Sequence, residues 1–235
     1  MIPIILTTFG RSALLRQMIA SFNKTRWPSG REYHLFVHDD GSGPRVFDAL
    51  DAIAIPHSVR RERRIGMIWQ NLWAIHYAMD RTDHYVIKVE SDALFHPDWL
   101  LRLTELYESL SKNQQVAQAS AFTWKKYYPH NECVTHRRLR EAGGVACILD
   151  CKFWISQRIG ERTVIRARRN EHAKRPLTSW PYWIAKAAKA VGAWIVATRP
   201  SYVQHMGTEV YSSKSAPQAV ATDFVGEVPD CPTAE

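Results

Sequence analysis

Three apolar, β-rich runs in the first half of the chain each end in oxygen-bearing side chains. Ile2 to Leu6 leads into Thr7-Thr8-Phe9. Tyr33 to His38 leads into Asp39-Asp40-Gly41-Ser42, and Tyr85 to Val89 into Glu90-Ser91-Asp92. Short runs that are apolar at nearly every position suit strands covered on both faces. Helical spacing fills the gaps. Leu14, Leu15, Met18, Ile19 and Phe22 fall on one face of a helix with Ser12 as its expected N-cap, and Ile68, Leu72, Ile75 and Met79 fall on one face over residues 67–79. Further strands are expected over 57–60 and 116–121, and further helices over 45–53 and 98–110. Alternating strands and helices predict an α/β fold with a mostly parallel, Rossmann-like central sheet. Such sheets bind ligands beyond the C-terminal ends of their strands. The three polar clusters should therefore share one rim.

Glu90 and Asp92 are the most informative members of that rim. Two carboxylates two residues apart at a strand end can share a hard divalent cation, which prefers oxygen ligands and bridges readily to phosphate. An acid-x-acid triplet also arises by chance at solvated strand ends. Its weight here comes from the two other clusters expected beside it.

The second half is less regular. Residues 122–142 mix aromatic and basic side chains, including Trp124, Tyr127 and Tyr128. An apolar strand is expected from Val145 to Leu149, a helix from Ile184 to Val191 with Gly192 after it, and a strand from Ala193 to Ala197. Residues 158–175 carry seven Lys or Arg against Glu161 and Glu171. The net charge of +8 over 235 residues points to polyanions as partners. Three basic runs, Arg60–Arg64, Arg137–Arg140 and Arg158–Arg175, are expected in loops, where with interleaved aromatics they would suit nucleic acid. Trp69 and Trp73, four apart, are expected to pack. The four cysteines lack paired metal-ligand spacing and read as buried thiols. No stretch of about 18 apolar residues is present, and the N-terminus lacks the marks of a secretory signal. A cytoplasmic protein is expected.

In order along the chain, Thr7-Thr8-Phe9-Gly10-Arg11, Asp39-Asp40-Gly41-Ser42, Ile65-Gly66 with Asn71, Glu90-Ser91-Asp92 with Pro97, Gly143-Gly144 and His205-Met206-Gly207 resemble the motifs of GT-A glycosyltransferases, above all the large family 2-like group. The resemblance covers residues 2 to about 213 and is more specific in the first half. It implies a single GT-A domain over 1–213, with a nucleotide-sugar-binding half (1–121), an acceptor-binding half (122–213) and a tail (214–235). It implies that Thr7, Thr8, Phe9 and Arg11 line the pocket for base and phosphates. Asp40 would accept a hydrogen bond from the base or ribose, and Gly66 and Asn71 would lie near the diphosphate or ribose. Glu90 and Asp92 would hold Mn2+ or Mg2+ on the diphosphate of a nucleotide-sugar donor, with a UDP-sugar favoured, and His205 would complete the metal site. Asp92 would be the centre of catalysis.

Two departures from the family pattern matter. The triplet begins with Glu, one methylene longer than Asp, so Glu90 could reach ribose or water instead of metal. The stretch ahead of Gly192 reads Ser179-Trp180-Pro181-Tyr182, where many relatives carry an acidic pair. The catalytic base is thus unassigned, with Glu171, Asp150 and His172 as candidates by location. For the acceptor, the basic runs suggest a hydroxymethylated base in DNA, which would have to leave the stack to react. The alternatives are a cell-envelope polysaccharide or lipid-linked glycan. Two other readings of the chain are nucleotidyl transfer on a similar sheet and a non-catalytic nucleic-acid-binding module.

Overall fold

The computed structural model describes residues 1–61, 63–122, 136–139, 143–172, 180–206 and 224–225. From the N-terminus, β1 (Ile2–Thr8), α1 (Ser12–Phe22), β2 (Tyr33–Asp39), α2 (Pro44–Leu50), β3 (His57–Arg61), α3 (Met67–Met79) and β4 (Tyr85–Glu90) alternate as expected. There follow β5 (Ala93–Phe95), α4 (Trp99–Ser111), β6 (Val116–Ser120), β7 (His136–Leu139), β8 (Ala146–Asp150), α5 (Cys151–Ser156), α6 (Ile159–His172), α7 (Trp180–Val191), β9 (Trp194–Thr198) and β10 (Val203–His205).

Eight strands form one sheet in the order β3-β2-β1-β4-β8-β6-β9-β7. β3, β2, β1 and β4 are mutually parallel, as are β6 and β9. β8 runs antiparallel between β4 and β6, and β7 runs antiparallel on the edge beside β9. β5 and β10 form a separate antiparallel pair.

Side chains alternate between the two faces of each strand, and both faces are covered. Ile4, Leu6, Leu35, Val37, Ile87 and Val89 meet the buried faces of α1, α2 and α4. On the other side Ile5, Phe36 and Val86 join a core with α3, α5, α6 and α7, including Ile68, Leu72, Phe153, Trp154 and Ile184. Two-sided cover is the physical reason the strands read as continuous apolar runs.

Three expectations need correction. Ser12 is the first helical residue and does not cap α1. The N-cap is Arg11, held left-handed at φ 52°, ψ 46°, and no side chain caps that end. The basic runs lie largely in regular structure. Arg60 and Arg61 belong to the edge strand β3, Arg137 to Leu139 to β7, and residues 159–172 to α6. α6 is amphipathic in an unobvious way. Its inward residues Thr163, Ala167 and Asn170 are small or polar, and Arg162, Arg166 and Arg169 face out. Ile159 at its start is its one fully buried large apolar side chain, with Val164 half-buried, so its period is faint in the sequence. Finally, only Trp69 packs on the core, whereas Trp73 is 51% exposed with the Arg60 guanidinium 5.0 Å from its ring centroid. Residues 123–135 and the region beyond 206, apart from 224–225, lie outside the described residues, as does the 213/214 boundary.

Trp99 joins β5 to the main core. It is fully buried, its indole N–H donates to Thr25 Oγ1 at 2.9 Å, and its ring centroid lies 4.7 Å from that of Phe95 and 6.1 Å from that of Phe22. Trp99→Ala should cost about 3–5 kcal/mol, read as a lower urea midpoint of unfolding. A loss under about 1 kcal/mol would contradict this view of β5 as anchored through the core.

Candidate active site

β1 and β4 lie side by side at the centre of the sheet, and the parallel strands are laid down outward from them in both directions. A crevice opens at the C-terminal ends of strands at such a reversal. Register places Thr7 beside Glu90 and Thr8 beside Asp39, so the polar clusters do share a rim.

One wall of the crevice is fixed by hydrogen bonds. Thr8 Oγ1 donates to Asp39 Oδ1 at 2.9 Å, and Asp39 Oδ2 accepts the Ser42 N–H at 2.8 Å. Ser42 Oγ accepts the Gly10 N–H at 2.9 Å. Gln70, from the first turn of α3, donates to the carbonyls of Thr8 (2.9 Å) and His38 (2.5 Å), which clamps the ends of β1 and β2 together. Asp40 is buried. It accepts the Ile65 N–H at 2.6 Å and the Gly66 N–H at 3.0 Å, so it fastens the loop before α3. Gly66 has φ +90°, a conformation L side chains rarely adopt. Asn71 Nδ2 donates to the Met67 carbonyl at 2.8 Å, while its buried Oδ1 has no hydrogen-bond partner among the described residues. The Phe9 ring lies under the Arg64 guanidinium at 4.5 Å.

The opposite wall holds the acids. β4 ends at Glu90, and β5 starts directly after Asp92. β5 pairs with β10 so that Ala93 faces His205, and the Met206 N–H donates to the Asp92 carbonyl at 2.8 Å. This register sets His205 Nε2 3.2 Å from Asp92 Oδ1 and 3.7 Å from Glu90 Oε2. Arg11 Nη1 reaches Asp92 Oδ2 at 2.5 Å. Lys88, almost wholly buried, donates from Nζ to Glu90 Oε1 at 3.0 Å and to the Gly144 carbonyl at 2.9 Å.

Electrostatics follow from these contacts. Burial pushes the Asp92 carboxyl up, but the hydrogen bond and charge of His205, with the charges of Arg11 and Lys88, outweigh it and hold the group below its ordinary range. Burial pushes the His205 imidazole down, but its hydrogen bond to Asp92 and the charges of Asp92 and Glu90 prevail and raise it. Ligand atoms of Glu90, Asp92 and His205 all lie within 4.8 Å of one another. Two carboxylates and an imidazole at that spacing suit a divalent cation of the Mn2+ or Mg2+ type. The donor set fits the metal that the family resemblance implies.

The candidate bases separate by position. Asp150 pairs with Tyr85, at the end of β4 remote from Glu90. At about 3.3 Å per residue, that is the far edge of the sheet. There Asp150 caps α5 through the Phe153 N–H at 2.6 Å and accepts the Tyr107 hydroxyl at 2.5 Å, which removes it as a candidate. Glu171 is exposed on α6 and accepts the Trp69 indole N–H at 3.2 Å, beside the start of α3. The His172 side chain lies outside the described residues. A cavity of about 640 Å³, lined by Arg63, Arg64, Ile65, Trp69 and Trp73, adjoins the loop before α3 and contains none of the three acid-cluster residues.

Residues 4–159 match the sequence profile of glycosyl transferase family 2. The chain belongs to that family. No curated protein matches it significantly. Its fold is similar to that of S. aureus TarS 1–349 in complex with UDP-GlcNAc, at 13% identity and a TM-score of 0.60 over 90% of this chain and 61% of that one. A second crystal structure of S. aureus TarS 1–349 gives 12% identity and a TM-score of 0.60, over 86% and 59%. The mannosyltransferase PcManGT from Pyrobaculum calidifontis, in complex with GDP-Man and Mn2+, gives 14% identity and a TM-score of 0.49, over 66% and 46%. The similarity to TarS shows that this family 2 chain has the GT-A fold. The chain spans about half to three-fifths of the length of these neighbours.

Sequence reasoning missed two residues of this candidate site, Gln70 and Lys88, and named Gly144 without its role as the carbonyl partner of Lys88. Lys88 left a signal, being a lysine inside an apolar run two residues before Glu90 and therefore on the same strand face.

The His205–Asp92 pair has a definite pH signature. A raised imidazole adds stability that is fully present below its unfolded pKa of about 6.5 and is lost as pH rises through the higher folded value. The depressed Asp92 adds stability above about pH 4 and is constant over the neutral range. In metal-free protein, His205→Gln should therefore be more destabilising near pH 6 than near pH 9. Urea unfolding of both proteins checks this, and a gap that widens with rising pH would contradict it.

Proposed function

We propose that the chain is a nucleotide-sugar-dependent glycosyltransferase that moves a sugar from a UDP-sugar to an acceptor hydroxyl with the help of Mn2+ or Mg2+. The observation that carries this reading is the convergence of Glu90, Asp92 and His205 at the central reversal of a GT-A sheet. Asp92 and His205 would hold the cation, with Glu90 as the further ligand. Bound there, the cation would neutralise the negative charge that grows on the departing diphosphate. Thr7, Thr8, Phe9 and Arg11 would line the donor crevice. Asp40, with Gly66, would shape the loop that closes it, and the buried Asn71 carbonyl at the start of α3 would remain for a donor hydroxyl. Among the base candidates we favour Glu171, which lies beside the opening of α3. The complex of TarS with UDP-GlcNAc supports the choice of a UDP-sugar by similarity of fold. The protein would work in the cytoplasm. Buried thiols such as Cys147, pushed up to about 12 by burial, suit a reducing compartment. No helix among the described residues is long and apolar enough to cross a membrane.

Mn2+ with UDP should raise the melting temperature of the wild type; Asp92→Asn should abolish that rise and lower transfer and donor hydrolysis by at least about a hundredfold. Full activity of the variant in saturating Mn2+ would sink the reading. Release of pyrophosphate, not of a nucleoside diphosphate, would point to nucleotidyl transfer instead.

For the acceptor we infer a polyanion, and specifically a hydroxymethylated base in DNA. Support comes from the net charge of +8 and from Arg60, Arg63 and Arg64 beside the exposed Trp73. Labelled nucleotide sugars offered with plain duplex, hydroxymethylated duplex and cell-envelope glycans should label the hydroxymethylated duplex. Transfer to a glycan but to neither duplex would replace the DNA acceptor with the envelope one. Duplex binding with neither transfer nor donor binding would mark a non-catalytic module.

A further inference from the structure

Lys88 carries its charge into a part of the sheet that water does not reach. It lies in β4 between Ile87 and Val89, faces Cys147 across the β4–β8 ladder, and is 1% exposed. An ammonium at that depth must be hydrogen-bonded and its charge matched. The candidate active site supplies both, through Glu90 Oε1 and the Gly144 carbonyl. Strand geometry presents Glu90 to Lys88, because residues two apart share a face. Gly144 completes the cradle. A Cβ there would lie 3.1 Å from Glu90 Oε1 and 3.3 Å from the Trp180 ring, with Lys88 Nζ in ordinary contact at 3.8 Å, so a larger residue would press on Glu90.

With the imidazole neutral, as a metal ligand must be, the charges in the cluster cancel. Lys88 opposes Glu90 and Arg11 opposes Asp92, which leaves two positive and two negative groups around the imidazole. We propose that Lys88 is a charge-setting, positioning residue. It holds one oxygen of Glu90 and offsets its charge, so that the cluster takes a divalent cation tightly only together with the diphosphate of the donor. The inference rests on the metal-dependent reading above. Two unopposed carboxylates attract a bare dication by themselves, whereas a cluster of zero net charge does so weakly. A nucleotide sugar carries about two negative charges on its diphosphate, which a dication cancels. The neutral pair of donor and cation therefore suits the neutral site. Glu90, longer by a methylene than an aspartate at the same strand end, has the reach to serve Lys88 with one oxygen while its other oxygen faces His205.

The test is a Mn2+ titration of the full chain, read by the electron paramagnetic resonance signal of free Mn2+, with and without UDP, each corrected by the same titration of buffer or UDP without protein. In the wild type, UDP should tighten Mn2+ binding by at least about tenfold. Lys88→Met should tighten Mn2+ binding without UDP by about tenfold and shrink the effect of UDP in proportion. Lys88→Gln keeps hydrogen-bond donors but no charge. It should shift in the same direction, and it carries the test if the methionine variant does not fold. Adding Glu90→Gln to either variant should return UDP-free affinity to within about threefold of the wild type. A purely structural lysine would give weaker binding on substitution. Unchanged or weaker UDP-free binding in the folded variant therefore overturns the inference. Wild-type protein that binds no Mn2+ even with UDP overturns the metal-dependent reading itself, a result distinct from a failure of Lys88.

Discussion

A buried carboxylate must be compensated where it stands, and Asp92 is a buried carboxylate. Its partners come from two distant parts of the chain. Arg11 arrives from the junction of β1 and α1, and His205 from β10, whose end is fastened by the Met206 N–H on the Asp92 backbone carbonyl. Each contact needs a separate piece of the fold to be correct. The left-handed Arg11 turns the chain out of β1 and into α1 with its guanidinium over Asp92. The β5–β10 pairing needs the chain to return after β9 and cross the acid rim. A one-residue slip in that pairing would turn His205 to the other face. The charge of one side chain thus links the junction of β1 and α1 to a strand formed near the end of the described chain.

The other wall depends on hydrogen bonds to neutral backbone groups. Asp39 and Asp40 are adjacent, yet Asp39 holds the turn after β2 and Asp40 holds the loop before α3. Gln70 completes this wall: its side-chain amide bonds the His38 carbonyl and the Thr8 carbonyl, the latter shared with the Asp40 N–H. One amide from α3 thereby ties the ends of two parallel strands to the helix that follows the Asp40 loop. The result is a rigid floor on one side and a cluster of charged groups on the other.

The core sheet was legible because its strands are buried on both faces, so β1, β2 and β4 appear as apolar runs with abrupt polar ends. The helices α1, α3 and α4 were legible by period, since large apolar residues mark their inward faces. α6 was not, because Thr163, Ala167 and Asn170 face inward and carry no strong hydrophobic signal. β5 and β10 were hidden by length, at three residues each, too short for any period. In the site, residue types were readable and partners were not. Nothing local tells Asp40 to bind Ile65 and Gly66, or Asp150 to cap α5 at the opposite end of the sheet. Such choices are fixed by which strands neighbour one another, and adjacency is a tertiary fact.

The excess of arginine looks different once the faces are assigned. Arg60 lies over Trp73, Arg61 over Phe47, Arg64 over Phe9, Arg81 over Tyr77 and Arg138 over Trp194. Stacking engages the flat face of a guanidinium and covers apolar surface, while its N–H groups point outward in the plane. Such an arginine can cover an aromatic ring and still present donors to a phosphate, which a lysine does less well. The positive field of the surface and the packing of its edges therefore come from the same residues. At the acid cluster the arrangement is reversed. There cations are matched to carboxylates, and positive charge sets affinity by cancelling negative charge. A polyanion drawn to the arginine-bearing faces would meet near-neutral charge at the crevice itself, so long-range attraction and the chemistry of transfer can be tuned by different residues.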